Sequence, residues 1–241
     1  MATIAVANRT SALRDAPPAR MAGAFYALTI VLGLGGFMLQ KGIVVSSDAA
    51  VTTTNILAHP DTFRLSFVAN LLGTVCYIAV TALFYVLFKP VNRSVSLVAA
   101  LISLVGCAMG AVSCGFLLVP PVLLSRPPYA SVFPPDQLHA LVLLFVKASG
   151  LAYSTGMILF GFYCVLIGYL TYRSTFLPRV VGALFALAGL GWLTFLSPPL
   201  GSLMSPVTML TGLIGEGSLG VWLLIKGVDV QRWQDMANDA S

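Results

Sequence analysis

Charge is what this sequence has least of. Asp, Glu, Lys and Arg make up only 9% of its 241 residues, against about 25% in an ordinary soluble domain, so a water-facing surface cannot be assembled from it. The four cysteines, Cys76, Cys107, Cys114 and Cys164, all stand inside apolar stretches. None forms a C-x-x-C pair, which leaves no dithiol or zinc motif, and each is expected to be a small buried hydrophobe. The two histidines, His59 and His139, lack the i, i+4 spacing of a zincin helix. Neither falls inside an apolar run, which disfavours haem held between helices. No metal site and no cofactor is expected. There is also no nucleotide loop, no Ser-His-Asp order and no carboxylate pair, so the reading leans away from an enzyme. The formal charge of +5 comes from thirteen Lys and Arg against eight acids. Those cations stand singly, without a basic run, so nucleic acid is not the expected partner.

What the sequence does have is long apolar segments, with 58% hydrophobic residues. A hydrocarbon core about 30 Å thick needs about 20 such residues to cross it. Six segments qualify, at residues 21–39, 65–88, 95–119, 151–172, 179–196 and 207–225. The fold class is therefore all-α, a polytopic transmembrane bundle of six helices in a lipid bilayer. Residues 1–19 are expected to be a mobile tail, 20–233 the membrane domain and 234–241 a second tail. The first segment exceeds the 7–15 residues of a cleavable signal core and reads as a retained span.

Local signals set the expected boundaries. Asp48 caps a short outer helix reaching Leu57, stopped by Pro60, with Ile56 and Leu57 expected on the bilayer surface. Asp61 or Thr62 caps the second span, and Pro120-Pro121 is expected to end the third. Pro127, Pro128, Pro134 and Pro135 predict a stiff extended loop. Residues 137–172 stay helix-compatible for about 54 Å, longer than a bilayer core, so a break is expected at Lys147, Ser149 and Gly150. A proline-bearing turn over residues 197–206 precedes the last span. Arg9, Arg14, Arg20, Lys89, Arg93, Arg173, Arg179, Lys226 and Arg232 fall on one side, and Lys41, Arg64, Arg126 and Lys147 on the other. This bias places both termini in the cytoplasm.

Glu216 is the one acid inside an expected span, and an ionisable residue there is a functional candidate by default. It sits about 15 Å above Lys226 at 1.5 Å per residue. Thr29, Tyr77, Thr81, Ser103 and Tyr163 fall at comparable depth and are its expected partners. Lys147 lies too far from the inner end to reach it. Without a cation at its level, the carboxyl is expected to be protonated or held by hydroxyls. The ligand or proton candidates are thus Glu216, Ser103, Tyr77, Thr81, Tyr163 and Asn70. Gly106 and Gly110, and Gly212 and Gly220 one turn to either side of Glu216, read as helix-packing positions. Tyr169, Tyr172, Trp222 and Trp233 read as an interfacial aromatic belt.

Several strings carry a family likeness: Ser47-Asp48-Ala49-Ala50, Phe63-Arg64-Leu65, Lys89-Pro90-Val91-Asn92-Arg93, Phe176-Leu177-Pro178-Arg179, and Gly215-Glu216 followed by Trp222-Leu223-Leu224-Ile225-Lys226-Gly227-Val228. In order and spacing they resemble the bacterial membrane family called domain of unknown function 4386, over about residues 20–233. The resemblance implies six helices in a bacterial inner membrane and supplies no catalytic residues. Relatives often carry ionisable groups at positions matching Asn70, Ser103 and Ser149, where this chain has neutral polar ones.

Three functions stay open. The first is binding or passage of a small molecule, ion or lipid in a cavity near Glu216. The second is a structural or regulatory subunit that packs through its small-residue helix faces as a homo- or hetero-oligomer. The third is an intramembrane enzyme acting on lipid or quinone.

Overall fold

A computed structural model describes residues 18–125 and 132–239. The expected N-terminal tail lies outside these residues except for its last two positions, as do Arg126, Pro127 and Pro128 of the proline loop. The described residues form eight α-helices: α1 (Ala19–Lys41), α2 (Ala49–Ala58), α3 (Pro60–Phe88), α4 (Arg93–Ser125), α5 (Pro135–Arg173), α6 (Arg179–Leu193), α7 (Pro198–Ile225) and α8 (Val230–Asp239). A 3-10 turn at Thr194–Leu196 extends α6. Six of these segments are long and apolar enough to cross a membrane, α6 together with its 3-10 turn among them. The expected all-α, six-span architecture is what the chain adopts. In lipid a helix is favoured because every peptide group must be bonded inside the segment that carries it.

α3 begins at Pro60, so Asp61 and Thr62 lie inside its first turn and not at its cap, and α5 begins at Pro135 of the expected loop. Three further expected boundaries give way to the requirement for internal bonding. α4 does not end at Pro120-Pro121 but carries both prolines internally as far as Ser125. α7 begins at Pro198, not after Pro206, with prolines in its first two positions and Pro206 inside it. Proline fits a helix start because its missing N–H has no intrahelical acceptor there. Inside a span it is tolerated because breaking the helix in lipid would strand more backbone groups than the proline does. The break at Lys147, Ser149 and Gly150 is also absent, and α5 runs unbroken for 39 residues, about 58 Å. Ser149 is absorbed by a neighbouring helix: the Ser113 hydroxyl lies 3.0 Å from that of Ser149 and donates to the Ser149 carbonyl at 2.9 Å. Gly150 keeps helical geometry, since the positive-φ glycine among the described residues is Gly227. Lys147 is exposed on α5.

The chain divides into two compact units, with boundaries inside α1, α3, α4 and α5. One unit holds Leu28–Ile78 and Leu104–Leu159. Its core gathers Ile43, Ile56, Phe63, Leu117 and Val142, so Ile56 is packed inside while Leu57 is exposed. Asp48 caps α2 as expected, accepting from the Val51 amide at 2.9 Å. The Asn55 amide donates to the Ile43 carbonyl, tying α2 to the segment before it.

The other unit holds the chain up to Ala27, Ala79–Ser103 and everything from Phe160. Its core is aromatic: Tyr26, Phe84, Phe88, Phe185 and Tyr163 are almost wholly buried. Phe84 meets both Tyr26 and Phe88 edge-on. α5 and α6 approach backbone to backbone at two glycine pairs, Gly161 with Gly189 and Gly168 with Gly182. Glycine is required there because a Cβ at any of the four would fall within 3 Å of the facing carbonyl, as at other small-residue helix contacts in membranes.

Candidate functional site

Glu216 stands on α7 between two helices that each supply one donor. The Trp192 indole on α6 donates to Glu216 Oε1 at 2.7 Å, and the Tyr26 hydroxyl on α1 donates to Oε2 at 3.2 Å. The first is a short N–H···O bond, and the second is a longer contact. Tyr26 and Trp192 are buried, whereas Glu216 is partly buried. All three belong to the aromatic unit.

The surrounding sequence makes this arrangement possible. A side chain at Gly212 would collide with the Trp192 ring, one at Gly220 would press on Tyr26, and one at Gly215 would run into the Leu184 carbonyl and Ala188. Across α1, Gly23 lets the chain pass close to the backbone of Gly220 and Leu224. The glycines around Glu216 thus hold α7 tight against α1 and α6 and leave room for two rings. Trp192 is braced by Phe160 and Phe195 at centroid distances of 6.5 and 5.7 Å.

Chemically, the carboxyl is an acceptor held at both oxygens by neutral donors. Neither donor cancels a negative charge. Glu216 lies about 14 Å from the Ile225 end of α7 at 1.5 Å per residue, well inside the span.

The other candidates make contacts of their own. Thr81 and Ser103 bond each other, hydroxyl to hydroxyl, at 2.6 Å, both buried. Tyr163 is buried and packs on Phe160 at 5.8 Å. Thr29 donates to the Gly73 carbonyl at 3.4 Å. Tyr77 is a buried residue of the other unit. Asn70 donates back to the Ser66 carbonyl at 2.8 Å and fills the space beside Gly36. The Gly106 carbonyl packs against Gly156, and Gly110 faces Thr74.

Neither Tyr26 nor Trp192 is among the partners expected from backbone depth. Trp192 lies about 20 Å along α6 from Arg179, and only its long side chain brings a donor to the level of Glu216. The available signal was the glycine one turn before and one turn after Glu216, which leaves ring-sized space on a helix face.

The family model described as Domain of unknown function (DUF4386) matches residues 21–227. No curated protein matches, and no solved structure matches.

Proposed function

Because the chain belongs to the domain of unknown function 4386 family, whose description assigns no activity, we propose its role from its own geometry: a multi-pass membrane protein that binds or passes a proton or small cation at Glu216. The supporting observation is the carboxyl at mid-span held by two neutral donors, Trp192 and Tyr26. A charged group at the centre of a span costs about 2.5–3.5 kcal/mol on insertion scales. Gln would offer its one carbonyl oxygen to one of these donors and turn its NH2 toward the other, so a cradle that donates to both oxygens suits a carboxylate. A proton or cation is the partner that a carboxylate with neutral neighbours lacks. The partial exposure of Glu216 leaves it an approach.

We also propose that both termini face the cytoplasm, on the bias of Lys and Arg along the chain, in the bacterial inner membrane that the family resemblance implies. The alternative, a structural subunit docking a partner through Gly106, Gly110, Gly212 and Gly220, has less support. Those four positions already face Gly156, Thr74, Trp192 and Tyr26 of the chain itself.

The test is proton and alkali-cation flux in proteoliposomes holding a pH-sensitive or cation-sensitive dye. Wild type should dissipate an imposed gradient faster than empty vesicles, Glu216→Asp should retain part of that rate and Glu216→Gln should abolish it. Equal flux in wild type and Glu216→Gln, at equal reconstitution, would sink the proposal.

A further inference from the structure

A second place in the molecule has the features of a ligand site and plays no part in the Glu216 arrangement. At the ends of the spans in the aromatic unit, the link between α7 and α8 folds back on the turn between α5 and α6. The Asp229 amide donates to the Phe176 carbonyl, Arg232 Nη1 donates to the Thr175 carbonyl at 3.2 Å, and the Trp233 indole donates to the Leu87 carbonyl at 2.9 Å. This pins the amphipathic helix α8 across the ends of α3, α5 and α7 and leaves an open groove of about 470 Å³ beside it. Its walls include Thr175, Pro178, Trp222, Lys226, Gly227 and Arg232.

The charge around the groove is one-sided. Arg20, Lys89, Arg93, Arg173, Arg179, Lys226 and Arg232 stand at these helix ends, against Asp229, Asp235 and Asp239. Asp229 is already paired with Arg232, at 3.2 Å. The Lys226 ammonium and the Arg20 guanidinium have no hydrogen-bond or ion-pair partner among the described residues. Arg20 lies beside Gly227, whose φ of +70° turns the chain at the groove wall. Val180, Val221 and Ile225, on the adjoining turns of α6 and α7, are exposed apolar groups. The groove therefore opens at the level where a bilayer's headgroups meet its acyl chains, with Trp222 as an aromatic wall suited to that boundary.

We infer that this groove binds the phosphodiester headgroup of an anionic phospholipid, with Lys226 and Arg20 as its two cationic contacts. Basic recesses between transmembrane helices on the cytoplasmic side take such headgroups because each cation near the surface adds attraction and the acyl chains hold the phosphate at the right depth. A water-borne phosphate has no such tether.

The probes are dioleoylphosphatidylglycerol, dioleoylphosphatidylcholine and inorganic phosphate, titrated onto the full chain in a neutral detergent and read by native mass spectrometry. With about 1 kcal/mol per cation, two contacts correspond to phosphatidylglycerol binding about thirtyfold tighter than phosphatidylcholine. Lys226→Gln and Arg20→Gln should each weaken that binding about fivefold. The pair Lys89→Gln with Arg93→Gln, on the same face but outside the groove, should change it by less than about twofold. Equal binding of the two lipids overturns the inference, as does an equal loss from the Lys89 and Arg93 pair. Displacement of the lipid by millimolar inorganic phosphate overturns the lipid assignment.

Discussion

Replacing Gly182 by alanine sets two known effects against each other. Alanine is favoured over glycine in a helix interior by about 1 kcal/mol, because it loses less backbone freedom on folding. At Gly182 the added methyl would lie 2.7 Å from the Gly168 carbonyl oxygen and 2.6 Å from the Tyr172 nitrogen, both backbone atoms that cannot swing aside. Forcing extra volume into a packed contact costs about 1–3 kcal/mol. Crowding should therefore win, leaving Gly182→Ala, and likewise Gly189→Ala beside the Gly161 carbonyl, destabilised by up to about 2 kcal/mol. Gly115 is the control. It lies within α4, and a methyl there meets nothing within 4 Å, so only the propensity gain of about 1 kcal/mol remains. Reversible denaturant unfolding in mixed micelles, followed by circular dichroism, reads both signs. If Gly182→Ala and Gly115→Ala shift stability equally, the close approach of α5 and α6 is refuted.

Trp192→Phe keeps most of the ring and removes the 2.7 Å bond to Glu216; the expected loss is about 1 kcal/mol, within the range of polar contacts between membrane helices, and Tyr26→Phe, which breaks a bond of 3.2 Å, should cost less in the same unfolding assay. Asp48→Ala removes the cap of α2 and should lower local stability by about 1 kcal/mol, seen as faster hydrogen exchange of the Val51 amide. Lys147→Cys on the exposed side of α5 should react with a membrane-impermeant maleimide and Ser149→Cys, buried against Ser113, should not; the reverse order would refute the placement of α5.

The six spans were legible because length and apolarity alone decide whether a segment can rest in lipid, and each of the six meets both criteria. Asp48 was legible for a local reason, since a cap depends on its own next three residues. The expectations that failed transferred rules from water. Pro120, Pro121 and Pro206 end helices where water can take up the freed carbonyls, and they do not end them here. Ile56 was assigned to the bilayer surface because nothing in the sequence says that Ile43, Phe63, Leu117 and Val142 converge on it. The glycine pairs linking α5 and α6 went unread for the same reason: their pairing depends on the register between two helices, which one strand of sequence does not state. Glu216 was found by its charge, while Trp192 was missed because its indole reaches a level its backbone does not occupy.

The central claim is that the Glu216 carboxyl lies at hydrocarbon depth among α1, α6 and α7. Carbodiimide labelling of the protein in native-lipid vesicles, mapped by peptide mass spectrometry, tests it most directly. An apolar carbodiimide should modify Glu216 and a charged, water-soluble one should not, with Asp48 and Asp61 showing the opposite preference. Ready modification of Glu216 by the water-soluble reagent alone would contradict the account.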